Sequence, residues 1–219
     1  MFQGFRPEAS DFFWELCFHN DRDWFHAHKE QFNELIGIPL RELAKDSYGL
    51  LAQRYPEKPM KVHISRIWRD ARRLFGRGPL KENLWFSIER SDVDGSAPSF
   101  YFELQPAVFS YGMGFWSPPA EQMEAFRNSV AANPAAFERL ATSVAEMKGF
   151  SIDGPFFKRP KGDFGEIVNE WYNRKWTFVY HEENFGGAIL RADMPLVLAD
   201  SFSKLMPMYD YLNKHCRKQ

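Results

Sequence analysis

A chain of 219 residues, 44% hydrophobic and 26% charged, is long enough to bury a full core without disulfide or metal staples. Its net charge of −1 argues against a general affinity for nucleic acid, and no apolar run approaches the roughly 20 residues a membrane-spanning helix needs. Two distant cysteines, Cys17 and Cys216, and an opening without the basic-then-apolar order of an export signal point to a reducing cytoplasm.

Pro7 is suited to open a first helix that runs to about His19, with Glu8 and Asp11 near its positive end. Phe12, Phe13, Leu16 and Cys17 share one face, which makes Cys17 a buried structural thiol. Asn20-Asp21 reads as a turn, with Asp21 or Asp23 capping a second helix that carries Trp24, Phe25, His28, Phe32, Leu35 and Ile36. Pro39 predicts a kink or break before Leu40, Leu43 and Ala44 resume the stripe.

The period then changes. Val62, Ile64 and Ile67 suggest a strand, and Leu84 to Ile88 a second. Ser91 to Pro98, with Asp94-Gly95, is turn material. Phe100–Leu104 and Val108–Tyr111 form two short aromatic strands separated near Pro106. Strands joined by short links favour an antiparallel sheet over βαβ units.

Helices return after the pairs Ser117-Pro118 and Asn133-Pro134. The first carries Met123, Phe126 and Val130 inward; the second carries Phe137, Leu140, Val144 and Met147 and closes at Gly149. Phe150 to Ile152 suits a short strand, Gly154 to Gly165 a surface loop, and Lys175 to Tyr180 a last strand. Asp193 caps a terminal helix through Leu212, strained at Pro207. The whole reads as one α+β domain over residues 1–219, a central antiparallel sheet packed by N-terminal and C-terminal helices. Aromatic residues, at 17%, are expected mainly in its core.

Motifs for chemistry are sparse. No histidine pair has metal-ligand spacing, and nothing resembles a zinc or EF-hand pattern. Gly112-Met113-Gly114 lacks the third glycine and the βαβ setting of a dinucleotide site, so it reads as a tight turn after a strand. The charge distribution is more informative. Lys61, Arg66, Arg69, Arg72, Arg73, Arg77 and Lys81 stand against one acid, Asp70, a local +6 that leaves 21 basic against 28 acidic residues elsewhere. Whether the segment is extended or helical, at least two guanidiniums fall near Asp70. Guanidinium forks suit phosphate or carboxylate, and a carboxylate fixes their orientation.

Arg66-x-x-Arg69-Asp70-x-Arg72 resembles the hallmark of the conserved-hypothetical family called domain of unknown function 2461. Gly4-Phe5, Asn20 through Trp24-Phe25, Tyr101, Gly112-x-Gly114, Phe126-Arg127 and Lys158-Arg159-Pro160-Lys161-Gly162 extend the likeness over nearly the whole chain. The chain departs from the family at Arg73, where Phe is usual, at Gly76-Arg77, in place of Asp/Asn-Lys, and at Leu80, in place of Tyr. The resemblance implies a single α+β domain found mostly in bacteria. It lends no activity.

The expectation for function is therefore a binding site for an anionic small molecule, with or without catalysis. Its residues are Arg66, Arg69, Asp70, Arg72 and Lys81, joined by Tyr101, Lys158 and Arg159. One alternative is a non-catalytic interaction module in which the Arg-Asp network is structural. Another is nucleic-acid binding through residues 61–81 with Trp68 or Trp85 stacking on bases, which the acidic remainder disfavours. No reaction, cofactor or oligomeric state is legible.

Overall fold

In the computed structural model, which describes residues 1–93 and 97–216, the first helix, α1 (Glu8–His19), starts directly after Pro7. The expected turn at Asp94-Gly95 lies outside the described residues, as does the side chain of Arg73. Asp21 caps α2 (Arg22–Ala27), accepting from the Trp24 N–H at 2.8 Å. The long second helix expected from periodicity is interrupted earlier than Pro39 suggested. It ends at His28, resumes as α3 (Lys29–Phe32), passes through a π-helical segment (Asn33–Gly37) and continues as α4 (Ile38–Arg54). Pro39 sits in the first turn of α4, where its missing N–H needs no partner; the irregularity falls in the wide turn just before it.

Six strands follow: β1 (Met60–Ile64), β2 (Leu84–Arg90), β3 (Ser99–Leu104), β4 (Val108–Gly114), β5 (Phe150–Asp153) and β6 (Phe178–Asn184). They form one antiparallel sheet in the order β1-β2-β3-β4-β6-β5. Along β3 buried residues alternate with half-buried ones, as in a sheet with one face on the core. The β5–β6 register pairs Phe150 with His181 and Ile152 with Val179. Between the strands lie α5 (Ala120–Ala132), α6 (Pro134–Ala145) and α7 (Glu166–Tyr172), and α8 (Met194–His215) ends the described chain. The architecture is α+β.

The chain packs as two compact units: Met1–Ile88 with Tyr101–Ser110 and Glu183–Asp200, and Glu89–Phe100 with Tyr111–Glu182 and Ser201 onward. In the first, Phe86, Phe102 and Phe109 stack in a row, and the Phe5 N–H donates to the Ile189 carbonyl at 3.0 Å. In the second, Phe100 stacks on Phe202 and Tyr209, and Phe137 meets Phe126 and Trp171 edge-on. The largest fully buried side chains are nearly all aromatic, so the high aromatic content is mainly core.

Three local expectations are corrected. Gly112 and Gly114 belong to β4 itself and form no turn. A Cβ on either would run into the backbone of β6 or of the residue just before it, at Val179 for Gly112 and at Thr177 and Phe178 for Gly114, so the pair marks a close approach of strands. Ser117 does not cap α5: it takes a left-handed φ of 51°, and the helix starts after Pro119. The last strand begins at Phe178, later than Lys175.

Candidate functional site

The basic segment continues β1 and β2 as an irregular antiparallel ladder. Ser65 N–H donates to Trp85 O at 2.8 Å, Lys81 N–H to Ile67 O at 2.8 Å, and Arg69 N–H to Pro79 O at 2.8 Å. Trp68 and Leu80 form an isolated bridge. The ladder is locked from outside by Asn20, in the turn after α1. Its Oδ1 accepts the Leu80 N–H at 2.8 Å and its Nδ2 donates to the Leu80 carbonyl at 3.1 Å, the two bonds a neighbouring strand would make. Gly78 leaves room for this, because a Cβ there would overlap the Asn20 side chain.

Arg69 is the centre of the arrangement. Its Nε donates to Leu80 O at 2.8 Å and its Nη2 to Glu82 Oε1 at 3.0 Å. The side chain is only 13% exposed, so its direction is fixed by these bonds and not by solvent. Between it and α2 lies a cavity of about 240 Å³ lined by Arg22, His26, Trp68, Arg69, Ala71, Leu74 and Pro79. The Asp21 cap starts α2 so that Arg22 and His26, four residues apart, share the face toward the cavity. The Arg22 guanidinium lies 5.9 Å from the Trp68 ring centroid, and Phe25 meets that ring edge-on at 5.1 Å. Two guanidiniums and an imidazole thus face one small space beside an indole, and no lining residue is acidic.

Arg66 and Lys81 stand close by. Partial burial, with Arg66 and Arg69 adding like charge, holds the Lys81 ammonium below the usual lysine range. An anion placed among the three would relieve that repulsion. Burial, reinforced by the Glu82 carboxylate and opposed by Arg69, pushes the Cys17 thiol up to about 11. Cys17 is half-buried, short of the full burial expected.

The other residues read from sequence distribute differently. Asp70 caps a single 3-10 turn (Ala71–Arg73) by accepting the Arg72 N–H at 3.0 Å, and holds the Arg72 side chain at 3.1 and 2.8 Å. That pair is at the surface, with Arg72 88% exposed, so it contributes little to stability. Tyr101 lies half-buried on β3, which supplies no lining residue. Lys158 and Arg159 are exposed on a loop of the second unit. Arg22 and His26 were missed because their relation to Trp68 is tertiary; the available signal was the Asp21 cap, which fixes the phase of α2.

The second unit holds a larger, open groove of about 850 Å³ along α5, α6 and the end of α8. Glu121 and Glu124 face Lys214 and His215 there, a balanced lining with no preference for one sign of charge. Among the described residues no cluster of three or more His, Cys, Asp or Glu is placed to hold a metal, and no helix is long and apolar enough to cross a membrane.

These features define an α+β protein with a small cationic, aromatic-walled pocket at the end of its β1–β2 ladder. The chain belongs to the family described as conserved hypothetical protein, domain of unknown function 2461, whose model matches residues 8–211. A comparison with curated proteins finds no match.

Proposed function

We propose that this protein binds a small molecule carrying a phosphate or carboxylate group, with the anion between Arg22 and Arg69 and the rest of the molecule against Trp68. The observation that carries the reading is the composition of the cavity wall: two guanidiniums, an imidazole and an indole, without a carboxylate, around about 240 Å³. Roughly eight water molecules would fill that volume, which suits a ligand of about ten heavy atoms. Arg69 engages two of its five N–H donors with Leu80 and Glu82, leaving three for a ligand in a fixed orientation. His26 supplies the one imidazole of the lining, and it is the residue to examine if the bound molecule reacts.

The alternative of a non-catalytic interaction module draws on Phe75, which is 81% exposed at the tip of the loop after Arg72 with a left-handed φ of 46°. Nucleic-acid stacking has less support: Trp68 is packed edge-on by Phe25, and Trp85 lies beneath the Lys81 ammonium at 5.9 Å.

Benzoate and its neutral isostere benzamide separate these readings. Benzoate is expected to raise the melting temperature of the wild type in a concentration-dependent way, benzamide is not, and Arg22→Gln or Arg69→Met should abolish the response. Equal responses to both compounds would refute an anion site.

A further inference from the structure

A second pair of cations, wholly within the second unit, lacks the partners that its surroundings call for. Arg127 on α5 places its guanidinium carbon 5.3 Å from the Phe157 ring centroid, and the Lys161 Nζ lies 4.8 Å from the same centroid. The two positive charges are therefore at most about 10 Å apart, within a Debye length at physiological salt or close to it. Arg127 Nη1 is sealed from solvent and makes no hydrogen bond, although the residue as a whole is only half-buried. Among the described residues neither Arg127 nor Lys161 forms an ion pair. Burial depresses the guanidinium pKa, and Tyr172 and Glu124 only partly oppose it.

The neighbouring arginine shows what a structural guanidinium looks like in this unit. Arg174 stacks on Phe156 at 3.9 Å, as Arg127 lies over Phe157, but it is fully provided for. Its Nη2 donates to Glu170 at 2.8 Å, its Nε to the Glu170 carbonyl at 2.8 Å, and its Nη1 to the Gly154 carbonyl. Arg127 has the aromatic support without the acceptors.

The loop that carries Lys161 is held in place before any ligand arrives. Asn173, 8% exposed, accepts the Lys161 N–H at 2.7 Å and the Gly162 N–H at 3.3 Å through Oδ1, and its Nδ2 donates to the Gly162 carbonyl at 3.1 Å. The Phe157 N–H donates to the Asn173 carbonyl at 3.0 Å, which anchors the ring itself. Tyr172 closes on Gly162 so tightly that a Cβ there would stand 2.8 Å from its ring. A preorganised loop, an aromatic platform and two unpaired cations are the components of an oxyanion site.

We propose that Arg127 and Lys161 hold a doubly charged oxyanion, a phosphate group, beside Phe157. The site is independent of the cavity at Arg22 and Arg69, so either can stand without the other. The test is equilibrium dialysis of radiolabelled inorganic phosphate at constant ionic strength, made in the Arg22→Gln protein so that the other pocket is disabled, with Arg127→Met or Lys161→Met added to it. Saturable binding is expected in Arg22→Gln, weakened at least tenfold when either further substitution is present, with acetate a poor competitor. Absence of saturable binding in Arg22→Gln, or its retention when Lys161→Met is added, would overturn the proposal. Lys161 is exposed, so that variant decides the matter even if Arg127→Met fails to fold.

Discussion

Replacing Asn20 by Ala should damage the pocket from outside it. Leu80 is fully buried, and its N–H has Asn20 Oδ1 as its partner at 2.8 Å, so truncation leaves a buried donor without a bond. That costs about 1–3 kcal/mol. The Leu80 carbonyl keeps the Arg69 Nε at 2.8 Å, so the loss of its Asn20 Nδ2 bond is the smaller effect, about 1 kcal/mol. A total of about 2–4 kcal/mol corresponds to a fall of roughly 4–16 °C in melting temperature for a chain of this size. Gly78→Ala reaches the same contact from the other side, since its methyl would displace the Asn20 side chain. The two substitutions should be non-additive, with the double variant less destabilised than the sum of the singles. Urea denaturation of the four proteins with unchanged slopes would measure this. Loss of under 0.5 kcal/mol in Asn20→Ala, or strict additivity, would refute the idea that Asn20 acts as a strand partner for Leu80.

Other consequences follow from the same geometry. Arg66→Gln should raise the Lys81 pKa toward its ordinary value, visible by NMR titration of the side chain, since burial and two neighbouring guanidiniums depress it. Because the folded state binds the Lys81 proton less tightly than the unfolded state, this lysine's contribution to stability should rise with pH between its lowered pKa and about 10.4. Burial raises Cys17 to about 11 and Cys216 to about 12, so both thiols should resist alkylation of the native protein at pH 8, where about a thousandth of Cys17 is thiolate. Native alkylation as fast as in urea would contradict this. Gly114→Ala, which drives a methyl into the Thr177–Phe178 backbone at the start of β6, should cost more than about 2 kcal/mol by thermal denaturation, whereas a turn position would have tolerated it.

The elements with strong local signals were legible in the sequence. Pro7 and Asn133-Pro134 start α1 and α6 as expected, because proline and an Asx cap act within a few residues. The alternation in β3 was equally clear. Helix α7 was missed: it has seven residues and starts after Gly165 without a side-chain cap, so neither period nor punctuation announced it. Gly112 and Gly114 misled because a close strand approach and a turn both select glycine. At the candidate site, Arg69 was legible through its place in the Arg-Asp motif, and the Lys81 neighbourhood through charge density. Asp70 was expected to orient guanidiniums, and it holds that of Arg72 at the surface while capping its own turn. Arg69 is oriented instead by Leu80 O and Glu82, which only tertiary structure brings to it.

The central claim, that Arg22 and Arg69 face one anion, is tested most directly by following the arginine Nε–H resonances of isotope-labelled protein as benzoate is added. The account predicts saturable shifts at Arg22 and Arg69 with a common dissociation constant, and none with benzamide. Shifts confined to other arginines, or no saturation at either residue, would contradict it.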